Sequence, residues 1–291
     1  MDQPGIHNLQ PEPMSINTVN IGKLAVLLLV WATAFAPIVP AMVNNWFNHS
    51  DNSHALLVPL VSLYFIWEKR KEIRSVQIKG SNAGLLLLTL CLLIYIVSFV
   101  GGIAFFCRLM LVASLIAIVW GSLGTAMLRL LAFPLGFLFF MIPVPDTLLS
   151  LVSFPLQLLA TKISADLISY CSIPVYREGN MLFFLNTQLE VAEACSGIRS
   201  IMSLTMISAI FAYISTGEVW RRVVIVLAAV PIAFIANILR VTGTGVLAHF
   251  HGDKVARGFL HDFSGFAVFI FGLIMLFMLY ALLKRMGKQH K

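Results

Sequence analysis

Between Ala83 and Val100 the chain carries no charged residue, and apolar stretches of similar length return along most of the sequence. About 20 such residues are what an α-helix needs to cross the hydrocarbon of a bilayer. Inside that medium every backbone N–H and C=O must be satisfied within the segment, so these runs are read as helices. Composition agrees: of 291 residues, 59% are hydrophobic and 11% charged, and the mean hydropathy is +0.91. These values fall outside the range of soluble globular domains. The expected fold is all-α integral membrane, with about eight transmembrane helices, an interfacial helix and a small extended or hairpin segment on the outer face. One polytopic domain is expected over residues 21–284, between a cytoplasmic N-terminal tail (1–20) and a basic cytoplasmic tail (285–291).

The net charge of +7 does not point to nucleic acid. The basic residues gather in short loops and at the C-terminus, where they orient a membrane protein. Glu68-Lys69-Arg70-Lys71-Glu72-Ile73-Arg74 is the densest basic loop, and the positive-inside rule assigns it to the cytoplasm together with Arg221-Arg222 and Lys284-Arg285. Those three anchors fit spans near 21–43, 55–67, 83–100, 107–121, 126–142, 197–214, 223–239 and 263–283, with both termini inside. Trp46 suits the membrane interface, and Gly101-Gly102 marks a turn. The first twenty residues lack the features of a removable signal peptide, so the first span is expected to be retained. Leu148–Tyr170 is apolar but interrupted by Pro155, Gln157, Lys162, Ser164 and Asp166, and reads as an interfacial helix. A re-entrant hairpin or a true span is the alternative. Residues 173–191 hold the most strand-like pattern, with Arg177-Glu178-Gly179-Asn180 as the turn of a small hairpin or lid. No internal repeat points to an inverted-repeat transporter.

That segment leads into Glu193-Ala194-Cys195-Ser196-Gly197-Ile198-Arg199, which puts a thiol at the start of a helix. A helix start carries roughly half a positive charge and several unpaired N–H groups, which favours thiolate over thiol. A buried cysteine that only fills space is the plain alternative. The topology puts the starts of spans six and eight and the end of span seven on one outer face, bringing together Cys195, Arg240 and His261. A histidine can take a thiol proton and later protonate a leaving amine, while an arginine stabilises an oxyanion. Each residue alone also has a packing or snorkelling explanation. Around them, Asn237 either orients Arg240 or pairs within the bundle. Arg199 either adds positive potential or snorkels, and Glu193 suits an ion pair with Arg199 or Arg240. Asp262 suits the cap of the last helix. His249 and His251 are expected at solvent or the interface. Cys91, Cys107, Cys171 and Cys195 show no zinc-type spacing, so no metal and no cofactor is expected. A Cys171–Cys195 disulfide stays open and would silence the thiol.

At these residues the chain resembles the exosortase/archaeosortase family of membrane cysteine transpeptidases, and most of all the bacterial exosortases. The resemblance rests on the Glu193–Arg199 block, on Asn237-Ile238-Leu239-Arg240, and on His261-Asp262 with Gly265, in that order. Pro143-Val144-Pro145, Val175-Tyr176-Arg177-Glu178-Gly179-Asn180, Ser53-His54 and Leu57-Val58-Pro59 are also similar to that family. Ala55 departs from the glycine expected there. The resemblance implies Cys195 as nucleophile, Arg240 as thiolate or oxyanion stabiliser and His261 as general acid/base. It further implies exported protein substrates with a C-terminal sorting signal of PEP-CTERM type: a short motif, a transmembrane helix and a basic tail. Cleavage would proceed through a thioacyl-enzyme at the periplasmic face of a bacterial inner membrane, resolved by an amine acceptor or water. Membrane lipid is an expected partner and nucleic acid is not. The rival readings are a polysaccharide-precursor transporter or flippase, with Arg240 and Arg199 on an anionic head group, and a non-catalytic assembly subunit.

Overall fold

A computed structural model of the protein describes residues 21–185, 187–191, 197–215, 218–252 and 259–289. It is an all-α membrane fold with one small sheet. Contacts divide it into two compact units, Met1–Pro143 and Val144–Lys291. Among the described residues, six helices are long and apolar enough to cross a membrane: Gly22–Asn48, Asn82–Val100, Ala104–Leu123, Asp146–Tyr170, Val219–Phe250 and Gly265–Met286.

In the first unit, α1 (Ile21–Phe35) passes through a 3₁₀ turn at Ala36–Ile38 into α2 (Val39–Asn48), with Pro37 tightening the junction. Trp46 on α2 is buried, and its indole N–H donates to the carbonyl of Met141 over 2.9 Å. The expected interfacial role is therefore corrected: the ring is satisfied inside the protein. The second predicted span becomes α3 (Leu57–Glu68), whose 12 residues give about 18 Å, short of a hydrocarbon core of about 30 Å. Internal bonds fix it instead, with the Ser62 hydroxyl on the Pro134 carbonyl at 2.7 Å. The basic loop is partly helical, as α4 (Arg70–Ser75).

α5 (Asn82–Val100) and α6 (Ala104–Leu123) turn at Gly101-Gly102 as expected, where Gly102 takes φ +69°. Glycine also lets the pair approach closely, since a Cβ on Gly84 would lie 2.2 Å from the backbone nitrogen of Gly121. The predicted fifth span is broken into α7 (Thr125–Leu130), α8 (Ala132–Phe137) and a 3₁₀ turn at Leu138–Met141. Pro134 has no N–H for the carbonyl of Leu130, which is where the helix stops.

The second unit opens with α9 (Asp146–Tyr170), a continuous helix of 25 residues with Pro155 inside it. Of the polar residues that interrupt this segment, Gln157 and Ser164 are buried, with Thr161 buried between them, whereas Lys162 and Asp166 are exposed along with Leu151, Val152 and Phe154. Its length and composition meet the requirements of a span. A three-stranded antiparallel sheet follows: β1 (Tyr176–Glu178), β2 (Met181–Phe183) and β3 (Gln188–Glu190), in the order β1-β2-β3. The expected hairpin is thus present, with a third strand. Leu182 and Leu189 pair across it and are buried with Ile168 of α9 in one apolar cluster.

Among the described residues, three helices follow the sheet: α10 (Ile198–Ile214), α11 (Val219–His251) and α12 (Phe259–Gln289). Ile225, Ala229 and Ala233 lie at four-residue spacing on α11 and pack with Leu204 of α10 and Leu276 of α12. The small alanines let α11 occupy the centre.

Candidate functional site

α11 had been expected to end at Arg240. It continues instead to His251, so Arg240 lies inside a helix of 33 residues. The stretch after Arg240 contains Gly243 and Gly245 and looks loop-like, yet tertiary packing holds it helical. A Cβ on Gly245 would lie 2.6 Å from Cδ1 of Ile168 and 3.4 Å from Cζ of Phe184, so the glycine is what allows α9 and the sheet to close on α11. Val241 joins the same apolar cluster, and the half-buried His249 stands with its ring centroid 6.1 Å from that of Phe184.

Two close approaches set Gly197, from the predicted cysteine block, and Gly265, from the predicted histidine block, against neighbouring turns of this helix. Gly197, the residue before α10, is buried with φ +82°, and a Cβ there would come within 3.2 Å of Cβ and Cγ of Asn237. Asn237 itself is 2% exposed. One turn further, the half-buried Arg240 lays its guanidinium against α12: a Cβ on Gly265 would be 3.5 Å from Nη2. Asn237 and Arg240, three residues apart, share one face of α11. Gly197 follows Cys195 by two residues, and Gly265 follows His261 by one helical turn.

A family model described as transmembrane exosortase matches residues 46–278. The chain belongs to the transmembrane exosortase family. No curated protein and no solved structure matches it. This exosortase is accordingly a multi-pass membrane protein, and the match spans the whole described neighbourhood of Asn237, Arg240 and Gly265.

Of the predicted site residues in this exosortase, Cys195 and Glu193 lie outside the described residues. His261 and Asp262 are described in their backbone alone, within α12. Asp262 is already inside that helix, which begins at Phe259, and so is not its cap. There an aspartate still favours the positive helix end. Arg199 is exposed on the first turn of α10. Cys171 is a free, exposed thiol. Among the described residues no group of three His, Cys, Asp or Glu side chains is placed to hold a metal ion.

Reasoning from the sequence missed two polar side chains that border the site. The Gln157 amide donates to the carbonyl of Val191, the last described residue before the cysteine block. The Ser164 hydroxyl donates to the carbonyl of Ile238, between Asn237 and Arg240, over 3.2 Å. The available signal was spacing: Gln157, Thr161 and Ser164 recur at i, i+4 and i+7, one face of a helix.

Proposed function

We propose that this exosortase is a membrane cysteine peptidase or transpeptidase that cleaves C-terminal sorting signals of exported proteins at the outer face of a bacterial inner membrane. The supporting observation is the pair of close approaches along α11, Gly197 on Asn237 and Gly265 on Arg240. They tie the flanks of the cysteine and histidine blocks to the helix that carries the arginine.

In this reading the Cys195 thiolate attacks the scissile carbonyl. A C–S bond forms, and the carbonyl electrons move to an oxyanion beside the Arg240 guanidinium. Collapse of that intermediate breaks the C–N bond, and His261 in its protonated form gives the proton to the leaving amine. A thioacyl-enzyme remains. An acceptor amine or water then attacks it with His261 as base, restoring the thiol. A substrate anchored by its own helix arrives already confined to the bilayer, so its motif meets the site at raised effective concentration.

The basic segments Lys69–Arg74, Arg221-Arg222 and Lys284-Arg285 support a cytoplasmic placement of these ends and of both termini. The test is co-expression with a tagged substrate carrying a C-terminal motif, apolar helix and basic tail. Cys195→Ala abolishes processing in this reading, and mass spectrometry of the wild-type product end separates transfer from hydrolysis. Undiminished processing by Cys195→Ala overturns it.

A further inference from the structure

The polar stripe of α9 has no evident place in a helix with so many exposed apolar side chains, and each of its members is buried. Its bonds run in two directions. Towards the sheet, the Gln157 amide donates to the Val191 carbonyl. The same residue is held by Asn180 at the β1–β2 turn: the Val191 N–H donates to the Asn180 carbonyl over 2.9 Å, and the Asn180 amide reaches the Val191 carbonyl at 3.4 Å. Towards the centre, Ser164 holds the Ile238 carbonyl at 3.2 Å, and Ile168 packs where Gly245 leaves room. Within α9, the Thr161 hydroxyl bonds the Gln157 carbonyl at 2.7 Å.

The two directions meet in one consequence for the cysteine block. Val191 stands four residues before Cys195 and Gly197 two residues after it. Gly197 rests directly on Asn237 of α11, while Val191 is tied to α9, which is itself bonded to α11 beside Asn237. Both ends of the intervening stretch are therefore referred to the turn of α11 that bears Arg240. Among the described residues, Gln157 makes the side-chain hydrogen bond from α9 to this upstream end, beside the apolar packing of Ala165 and Ile168 in the cluster that holds Val191.

We propose that Gln157 is a positioning residue, which fixes Val191 and so the point from which the chain runs on towards Cys195. Asn180 assists from the other side of Val191. The proposal rests on Cys195 being the nucleophile. A nucleophile displaced by about 1 Å loses on the order of a hundredfold in rate, so the effect of losing this hold is measurable.

The experiment uses the full-length exosortase in a Cys171→Ser background. Cys91 and Cys107 are buried, so alkylation then reports on Cys195. Gln157→Met keeps the side chain's length and removes the donor, and Gln157→Asn keeps a donor on a shorter arm. The expected result for Gln157→Met is processing of the tagged substrate lower by about tenfold to a hundredfold. The pH profile of Cys195 alkylation shifts in the folded protein, and Gln157→Asn recovers part of both. Asn180→Ala, at the half-buried end of the β1–β2 turn, moves both readouts the same way and carries the test if Gln157→Met does not fold. Folded variants with wild-type processing and a wild-type alkylation profile overturn the proposal. Processing that survives Cys195→Ala overturns instead the nucleophile reading beneath it.

Discussion

The guanidinium of Arg240 lies over the bare Cα of Gly265, so closely that a Cβ on the glycine would be 3.5 Å from Nη2 and 3.6 Å from Cζ. A methyl at that distance is an ordinary contact, whereas a longer side chain needs the volume the guanidinium occupies. Gly265→Ala is expected to process substrate as wild type does. Gly265→Leu is expected to lose about tenfold to a hundredfold in rate by displacing Arg240. Processing of a tagged substrate at matched protein levels checks both.

Gly197 answers to two constraints at once. Its φ of +82° is strained for any other residue, and an added methyl meets Asn237 at 3.2 Å. The conformation alone costs a non-glycine residue about 1–3 kcal/mol. Gly197→Ala is expected to lower the thermal unfolding temperature of the detergent-solubilised protein and to slow processing in the protein that remains folded. An unchanged unfolding temperature would contradict the tight passage against α11.

Gly84 separates folding from chemistry. A Cβ there would lie 2.2 Å from the nitrogen of Gly121 and 2.7 Å from the backbone of Trp120, so α5 and α6 must part to admit it. Overpacking of this kind costs about 1–3 kcal/mol. Gly84→Val is expected to reduce the yield of folded protein, measured by size-exclusion chromatography, while processing per folded molecule stays at the wild-type level.

The thiol has a pH signature. Cys195 precedes the start of α10 by three residues in the sequence, and under the proposed reading the positive end of that helix favours the thiolate. A lowered thiol pKa means that the reactive form persists as pH falls below the ordinary thiol value of about 8.5. In the Cys171→Ser background, alkylation of Cys195 is expected to keep its rate from alkaline pH down to near neutrality. A rate that falls through the ordinary thiol pKa would contradict this.

The sequence revealed segments better than it revealed directions. Hydropathy located the long helices. Gly101-Gly102 gave the α5–α6 turn, and the strand-like pattern over 173–191 with its Arg177-Glu178-Gly179-Asn180 turn announced the hairpin, because these signals are local. Gln157 and Ser164 were misread because a polar residue in an apolar helix looks alike whether it faces head groups or a buried carbonyl. Their partners, Val191 and Ile238, lie 34 and 74 positions away. Trp46 was misread for the same reason, its carbonyl partner being 95 positions distant. The extension of α11 past Arg240 was hidden because Gly243 and Gly245 resemble helix breakers. At Gly245 the absent side chain admits Ile168 and Phe184, and packing outweighs propensity. At the candidate site, residue types and order are what single out the cysteine, arginine and histidine blocks in the sequence. The contacts that seat Asn237 and Arg240 depend on glycines at Gly197 and Gly265, whose meaning is spatial.

The most direct measurement is an immunoblot of a tagged substrate with a C-terminal motif, apolar helix and basic tail. It is co-expressed with wild type or with Cys195→Ala, Arg240→Ala or His261→Ala, each first shown to be folded and membrane-inserted. A cysteine peptidase centred on these residues gives the processed band with wild type and loses it in all three variants. The processed band at full strength with Cys195→Ala would contradict the account.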